Sequence, residues 1–274
     1  MSWFSGIVRK VVIAASAVVA VVGSFIGSGA AGGTPIQDAA GGALSASSTA
    51  IAPAGPAFAI WSVIYVGLIA FAVWQFLPHR KDPEIEARHD RLGIPVTLSL
   101  LLNAAWILSV QAGLLQLSWI VIVALLGVLA WTFVILRRTR SSGAVEAVVT
   151  DGSFGLYLGW VCIATAANIA AVLSADGFRG FGLGQDAWGS VVAGVAGAVG
   201  LLLAVTGRGR IAPMLSLGWG LAWVAVARLD GPLVSVPTAV TAIVATAVVA
   251  VVTLGVRVAT VRTGSRRSET VATA

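Results

Sequence analysis

The stretch "LYLGWVCIATAANIAA", Leu156–Ala171, is apolar enough to cross a bilayer, yet it carries Tyr157, Trp160, Thr165 and Asn168. A plain membrane anchor has no use for an amide. A helix advances about 100° per residue, so Tyr157, Trp160, Ala164 and Asn168, spaced 3, 4 and 4 apart, fall on one stripe, with Thr165 beside it. Polar groups are costly in hydrocarbon. The stripe is therefore expected to face protein or a cavity, and the stretch is read as one helix of a membrane bundle.

The rest of the chain has the same character. Of its 274 residues, 58% are hydrophobic and 10% charged, and the mean hydropathy is +0.97. That balance excludes a soluble globular domain and makes the bilayer the solvent. Eight apolar runs are expected to span it: Val11–Ile26, Phe58–Leu77, Pro95–Leu115, Ser118–Leu136, Phe154–Leu173, Trp188–Thr206, Ile211–Leu229 and Val236–Val258. None alternates with period two, so the spans are helices. The net charge of +6 is split into short clusters between the runs, which argues against nucleic acid. The one cysteine, Cys162, lies in mid-span and has no intramolecular partner. His79 and His89 share one charged loop in this reading, and no metal-ligand spacing, phosphate-cradling glycine loop or nucleophile triad is visible.

Charge order supports the span count. Arg9 and Lys10 precede the first span; Arg80, Lys81, Arg88 and Arg91 follow the second; Arg137, Arg138 and Arg140 follow the fourth. Arg208 and Arg210 follow the sixth, and Arg257, Arg262, Arg266 and Arg267 close the chain. With eight spans, these fifteen of the seventeen Lys and Arg residues fall on one side, leaving Arg179 and Arg228 on the other. The excess marks the cytoplasmic side, so both termini are expected in the cytoplasm, of a bacterial plasma membrane. The first span, flanked by Arg9-Lys10 and "GSGAAGG", also has the outline of a signal peptide, whose cleavage would leave seven spans.

The longest outer segment, Gly29–Pro56, is rich in Gly, Ala, Ser and Pro and is expected to be mostly a flexible linker. A lid over an outward-opening cavity is the alternative, with Thr34 or Asp38 as helix caps. Residues 259–274 are expected to form a disordered basic tail near anionic headgroups.

Aromatic stripes recur. Phe58, Trp61 and Tyr65 share a face in the second span, Asn103 and Trp106 in the third, Trp219 and Trp223 in the seventh. Trp3, Trp119, Trp131 and Trp188 sit near span ends and fit the interfacial belt. The deeper tryptophans either fill space between helices or, with the amides, wall an apolar pocket suited to a flat ligand. Gly23 and Gly27, and Gly189, Ala193 and Gly197, allow close helix approach. Their expected partners are helices of the same chain, with a homodimer as the other use. No acid or base lies at mid-membrane, which counts against an ion-coupled pump. Arg228 is expected either to pair with Asp230 or to receive a ligand carboxylate.

These residues resemble the TspO/MBR family, the translocator or tryptophan-rich sensory proteins. "FAIWSVIY" (58–65) is similar to the family's Trp-x-x-Leu-Tyr segment, "LNAAW" (102–106) to its Leu-Asn-x-x-Trp segment, and "YLGWVCIATAAN" (157–168) to its Tyr-x-x-Trp-x-x-x-Ala-Thr-x-x-Asn pattern. The resemblance covers about the first 175 residues. It implies a five-helix membrane unit over 1–175, followed here by three additional helices over 176–258. It also implies a pocket for porphyrins or other flat hydrophobic molecules, lined by Trp61, Asn103, Trp106, Trp160 and Ala164, with Tyr65, Tyr157 and Asn168 beside them. No Tyr-x-Arg pattern follows Asn168, so the family's sterol-associated segment is absent.

The expected protein is thus an all-α, eight-helix integral membrane protein that binds a tetrapyrrole-like ligand as a sensor or carrier. No cofactor and no covalent reaction are expected. The alternatives are a secondary transporter of an apolar or zwitterionic solute, and a membrane enzyme acting on a tetrapyrrole.

Overall fold

In a computed structural model the described residues are 6–30, 32–77, 83–178 and 180–272, with side chains described to residue 263. Trp3, His79, Arg80, Lys81 and Arg179 lie outside them. Among the described residues there are eight long apolar helices: α1 Gly6–Gly27, α2 Ile60–Trp74, α3 Pro83–Gln111, α4 Leu115–Arg138, α5 Ser153–Ala175, α6 Gln185–Thr206, α7 Ile211–Asp230 and α8 Val236–Ala272. Every expected span is there. Their outward faces carry residues such as Val18, Val66, Leu202 and Val251, all exposed, as contact with hydrocarbon chains requires.

Two helices are longer than the sequence suggested. Pro95 does not start the third helix. It lies inside α3, which begins at Pro83, so His89 stands on a helix and not in a loop. Proline at the first turn forfeits no hydrogen bond, and Glu84 and Glu86 in that turn suit the helix dipole. At the other end, α8 runs on to Ala272. The segment read as a disordered tail continues the last helix, because between Val258 and Ala272 no proline intervenes to stop it.

The helices pack as a chain of neighbours. α3 lies between α1 and α4, α4 on α5, α5 on α7, α7 on α8 and α8 on α6, while α2 rests on α1 and α5. The small-residue stripes serve these contacts within the chain. A Cβ at Gly23 or Gly27 would meet Ala104 or Ile107 of α3, and one at Gly189 or Gly197 would meet Thr238 or Ala245 of α8. A third stripe, Gly155 and Gly159, has the same four-residue spacing. It seats α5 against Ala212, Pro213 and Ser216 at the start of α7, and so joins the first five helices to the last three.

The outer segment 29–56 is not a flexible linker among its described residues. Ile36, Leu44, Ile51 and Ala52 are buried in the bundle. Its backbone is tied down as well: Ile36 N–H donates to Gly27 O (2.8 Å) and Ala54 N–H to Trp223 O (3.2 Å), and Gln111 Nε2 donates to Thr34 O (2.8 Å). Asp38 precedes a single turn, Ala39–Gly42, without capping it through its side chain. Arg228 does not pair with Asp230. Fully buried, its Nη1 donates to Thr49 O (3.1 Å) and its Nη2 to Ala46 O. Two carbonyls of an ordered loop thus hold both terminal nitrogens of the buried guanidinium, while its Nε has no partner among the described residues. Arg228→Met should release this loop. Because each charged hydrogen bond is worth about 1.5–3 kcal/mol, elastase cleavage between residues 44 and 52 is expected to rise about ten-fold or more.

A buried ion network fastens the opposite end. Arg88 donates through Nη1 to Glu146 Oε1 (2.6 Å), through Nη2 to Asp151 Oδ2 (2.7 Å) and through Nε to Thr139 Oγ1 (3.1 Å). Arg210 donates to the other Asp151 oxygen and to Leu136 O (2.6 Å). Ser142 N–H and Oγ donate to Glu146 Oε2, and His89 Nε2 lies 3.2 Å from Oε1. Residues 147–152, which carry Asp151, form a π-helical turn leading into α5. Insertions of this kind often mark places where a helix is re-aimed. Here the turn brings Asp151 between Arg88 of α3 and Arg210, the residue just before α7.

Candidate functional site

Three of the four expected aromatic stripes converge. Trp61 of α2 is the hub: its ring centroid lies 5.6 Å from Tyr65, 6.1 Å from Trp106 of α3, and 5.9 and 6.2 Å from Tyr157 and Trp160 of α5. Phe58, in the 3₁₀ turn Gly55–Ala59 ahead of α2, meets Trp160 edge-on at 5.8 Å. The angles between rings range from 29° to 84°, the tilted and edge-to-face arrangements that aromatic quadrupoles favour. Trp160, Tyr157, Trp106 and Tyr65 are buried, and Trp61 is half-buried. The expected hollow is therefore closed in this state, with the Trp61 indole standing at its centre.

The polar groups of the cluster divide into satisfied and unsatisfied. Tyr65 Oη donates to Asn103 Oδ1, and Tyr157 Oη donates to Ser99 O at 3.1 Å. Asn103 Nδ2, Trp106 Nε1 and Trp160 Nε1 are buried and have no hydrogen-bond partner. Buried donors without acceptors are uncommon and cost about 1–3 kcal/mol each. Three of them stand together on the walls of one aromatic cluster.

Two of the eight candidate residues stand apart. Asn168 is fully buried, but its Nδ2 donates to Ser118 Oγ (3.0 Å) and its Oδ1 accepts from the same hydroxyl (3.2 Å). Its amide holds α5 to α4. Ala164 is half-buried and packs on the apolar core. Trp219 and Trp223 of α7 meet each other at 5.6 Å. Trp219 Nε1 donates to Ala57 O (2.9 Å), so α7 fixes the turn that carries Phe58.

On the far side of α5 lies an open cleft of about 850 Å³, walled by Cys162, Thr165, Ala166 and Ile169 of α5, Trp188 and Val192 of α6, and Thr49–Ile51 of the outer segment. None of the eight candidate residues lines it. Trp188, placed in the interfacial belt by its position, forms part of this wall and donates Nε1 to Gly180 O (2.8 Å). Thr165 faces this side and not the aromatic stripe, and its hydroxyl, like that of Thr49, has no partner. The signal was present as a second stripe on α5, Cys162, Thr165 and Ile169, spaced 3 and 4 apart. Without a polar or aromatic residue larger than threonine it reads as lipid-facing.

No curated protein and no solved structure matches the chain. The family model described as TSPO-like protein matches residues 12–255, running through α6, α7 and most of α8 and not ending at residue 175. With eight apolar helices and a match over most of its length, the chain is an integral membrane protein that belongs to the TSPO-like family.

Proposed function

We propose that this protein binds a flat hydrophobic small molecule of the tetrapyrrole class between α2, α3 and α5, as a membrane receptor or carrier and without covalent turnover. The reading rests on one observation: three buried N–H donors, on Asn103, Trp106 and Trp160, without acceptors around a half-buried indole. In it, Trp61 swings aside, a flat ligand takes its place against Tyr65, Trp106, Tyr157 and Trp160, and the ligand's ring nitrogens or carboxylates accept from the three donors. The basic clusters on one side of the eight spans support a reading with both termini in the cytoplasm, and the plasma membrane of a bacterium is the proposed setting. A second reading, a carrier that passes an apolar solute through the α5–α6 cleft, is favoured by the cleft's volume of about 850 Å³, within the range of small-molecule sites.

Titration of the detergent-purified protein with protoporphyrin IX, followed by tryptophan quenching, tests the first reading. Trp160→Ala and Asn103→Ala should each weaken binding several-fold, since a stacking wall or a buried hydrogen bond is worth about 1 kcal/mol or more. Ala166→Trp, which fills the cleft, should leave the affinity unchanged. If only Ala166→Trp weakens binding, the cleft is the site. Uptake into liposomes that needs a proton gradient would favour the carrier, and loss of the porphyrin's Soret band on incubation would favour an enzyme.

A further inference from the structure

A basin of about 570 Å³ lies where the C-terminal ends of α4 and α6 meet, and four arginines line it: Arg137, Arg138, Arg140 and Arg208, with Thr139, Val205 and Thr206. Its lining includes no carboxylate, and none of the four arginines has an acidic partner among the described residues. Among the described residues the one side-chain hydrogen bond these arginines make is Arg137 Nη1 donating to Thr206 O at 3.4 Å. A cation near a helix C-terminus complements the helix dipole, and that accounts for Arg137 and Arg138 in the last turn of α4. It does not account for four guanidinium groups sharing one concavity, where like charges repel.

The frame of the basin is rigid. Arg208 sits in left-handed backbone conformation, φ +55°, between Gly207 and Gly209, although only glycine adopts that region freely. The turn is held there from three sides. A Cβ at Gly207 would lie 2.8 Å from the Phe133 ring, and one at Gly209 would lie 2.4 Å from Arg257 N on α8. Arg210 ties the turn to Leu136 O and Asp151. The neighbouring carboxylates Glu146 and Asp151 are already occupied by Arg88, Arg210 and Ser142. The turn therefore fixes the Arg208 backbone at the edge of the α4 arginines, with no internal acid left to neutralise them.

We infer that this basin is an anion site that takes a phosphate-bearing group of more than one negative charge, from an acidic lipid headgroup or a soluble phosphate. Planar guanidinium forks match phosphate oxygens in pairs, and four of them exceed what a single negative charge needs. The basin lies at the same end of the bundle as the first residues of α1 and the last of α8. Basic pockets between helices at the bilayer surface suit such headgroups.

The test uses the full chain in an uncharged detergent. Dioleoyl phosphatidic acid is titrated in mixed micelles against dioleoyl phosphatidylcholine as control, and inorganic pyrophosphate is titrated separately in the same buffer. The readouts are thermal unfolding and lipid phosphorus retained per protein after chromatography. Saturable stabilisation by phosphatidic acid alone identifies a lipid headgroup. Saturation by pyrophosphate as well identifies the phosphate itself. Arg208→Gly suits the left-handed turn and removes one fork. It should keep the melting temperature without ligand and weaken the anion's affinity about ten-fold, the size of one charged hydrogen bond. Arg138→Gln with Arg140→Gln removes two forks and should weaken the affinity by more than Arg208→Gly does. Arg91→Gln, an exposed arginine of α3 outside the basin, should change nothing. Equal losses in Arg91→Gln and Arg208→Gly, or no saturable effect of either anion, would overturn the proposal.

Discussion

Arg88→Met is expected to destabilise the protein by about 3–5 kcal/mol, the size measured when one partner of a buried ion pair is removed. Arg88 and Glu146 are each only 1% exposed, so the carboxylate left behind cannot recover its hydration. Glu146 would keep Ser142 and His89, and Asp151 would keep Arg210, which limits the loss to that range. The consequence is directional. The network joins α3, the π-helical turn before α5, the end of α4 and the start of α7, so the variant should unfold from that end first. Thermal melts in detergent and hydrogen exchange across residues 139–152 read both effects. Adding Glu146→Gln to Arg88→Met removes the stranded charge and should recover part of the stability. A double variant that loses the sum of the two single effects would mean that the groups do not interact.

Gly159→Ala is expected to cost about 3 kcal/mol, the upper end of ordinary overpacking. A Cβ at this position would lie 2.2 Å from the Pro213 carbonyl oxygen and 2.3 Å from Ser216 Oγ. The serine can rotate, but the carbonyl belongs to α7 and moves only with it. The helices must separate, and Trp160, the next residue along α5, shifts with them. The variant should therefore lose porphyrin affinity together with stability, although residue 159 touches no ligand in the proposed site. Gly194→Ala is the matched control. Nothing lies within 4 Å of its Cβ position, and alanine is the better helix former by about 1 kcal/mol, so its melting temperature should hold or rise. If both variants behave alike, α5 and α7 are not in the close contact described.

The candidate site was partly legible. Helical periodicity and the cost of polar groups in lipid put Trp61 with Tyr65, Asn103 with Trp106 and Tyr157 with Trp160 on inward faces, and the family resemblance implied that the three faces share one pocket. The same argument put Asn168 with them and was too coarse to do better. It says that an amide faces protein, and Ser118 on α4 is protein. It could not place Arg88 with Glu146, Asp151 and Arg210 either, since attraction between charges separated by 58 to 63 positions leaves no local pattern. Nor could it find the arginine basin, whose residues come from two chain segments some 70 positions apart.

What the sequence by itself determined is the class, the eight spans and, for the helices that carry aromatic, amide or small-residue stripes, the faces that turn inward, because the bilayer enforces length, helicity and burial of polar groups residue by residue. Only the tertiary structure decided which inward faces meet. It closed the aromatic cluster around Trp61, opened the cleft on the other side of α5, and packed the Gly-rich outer segment through the carbonyls that Arg228 holds. Those outcomes depend on contacts between distant segments, where backbone separations of a few ångströms at glycines such as Gly159 set the helix crossings, and no local pattern encodes them.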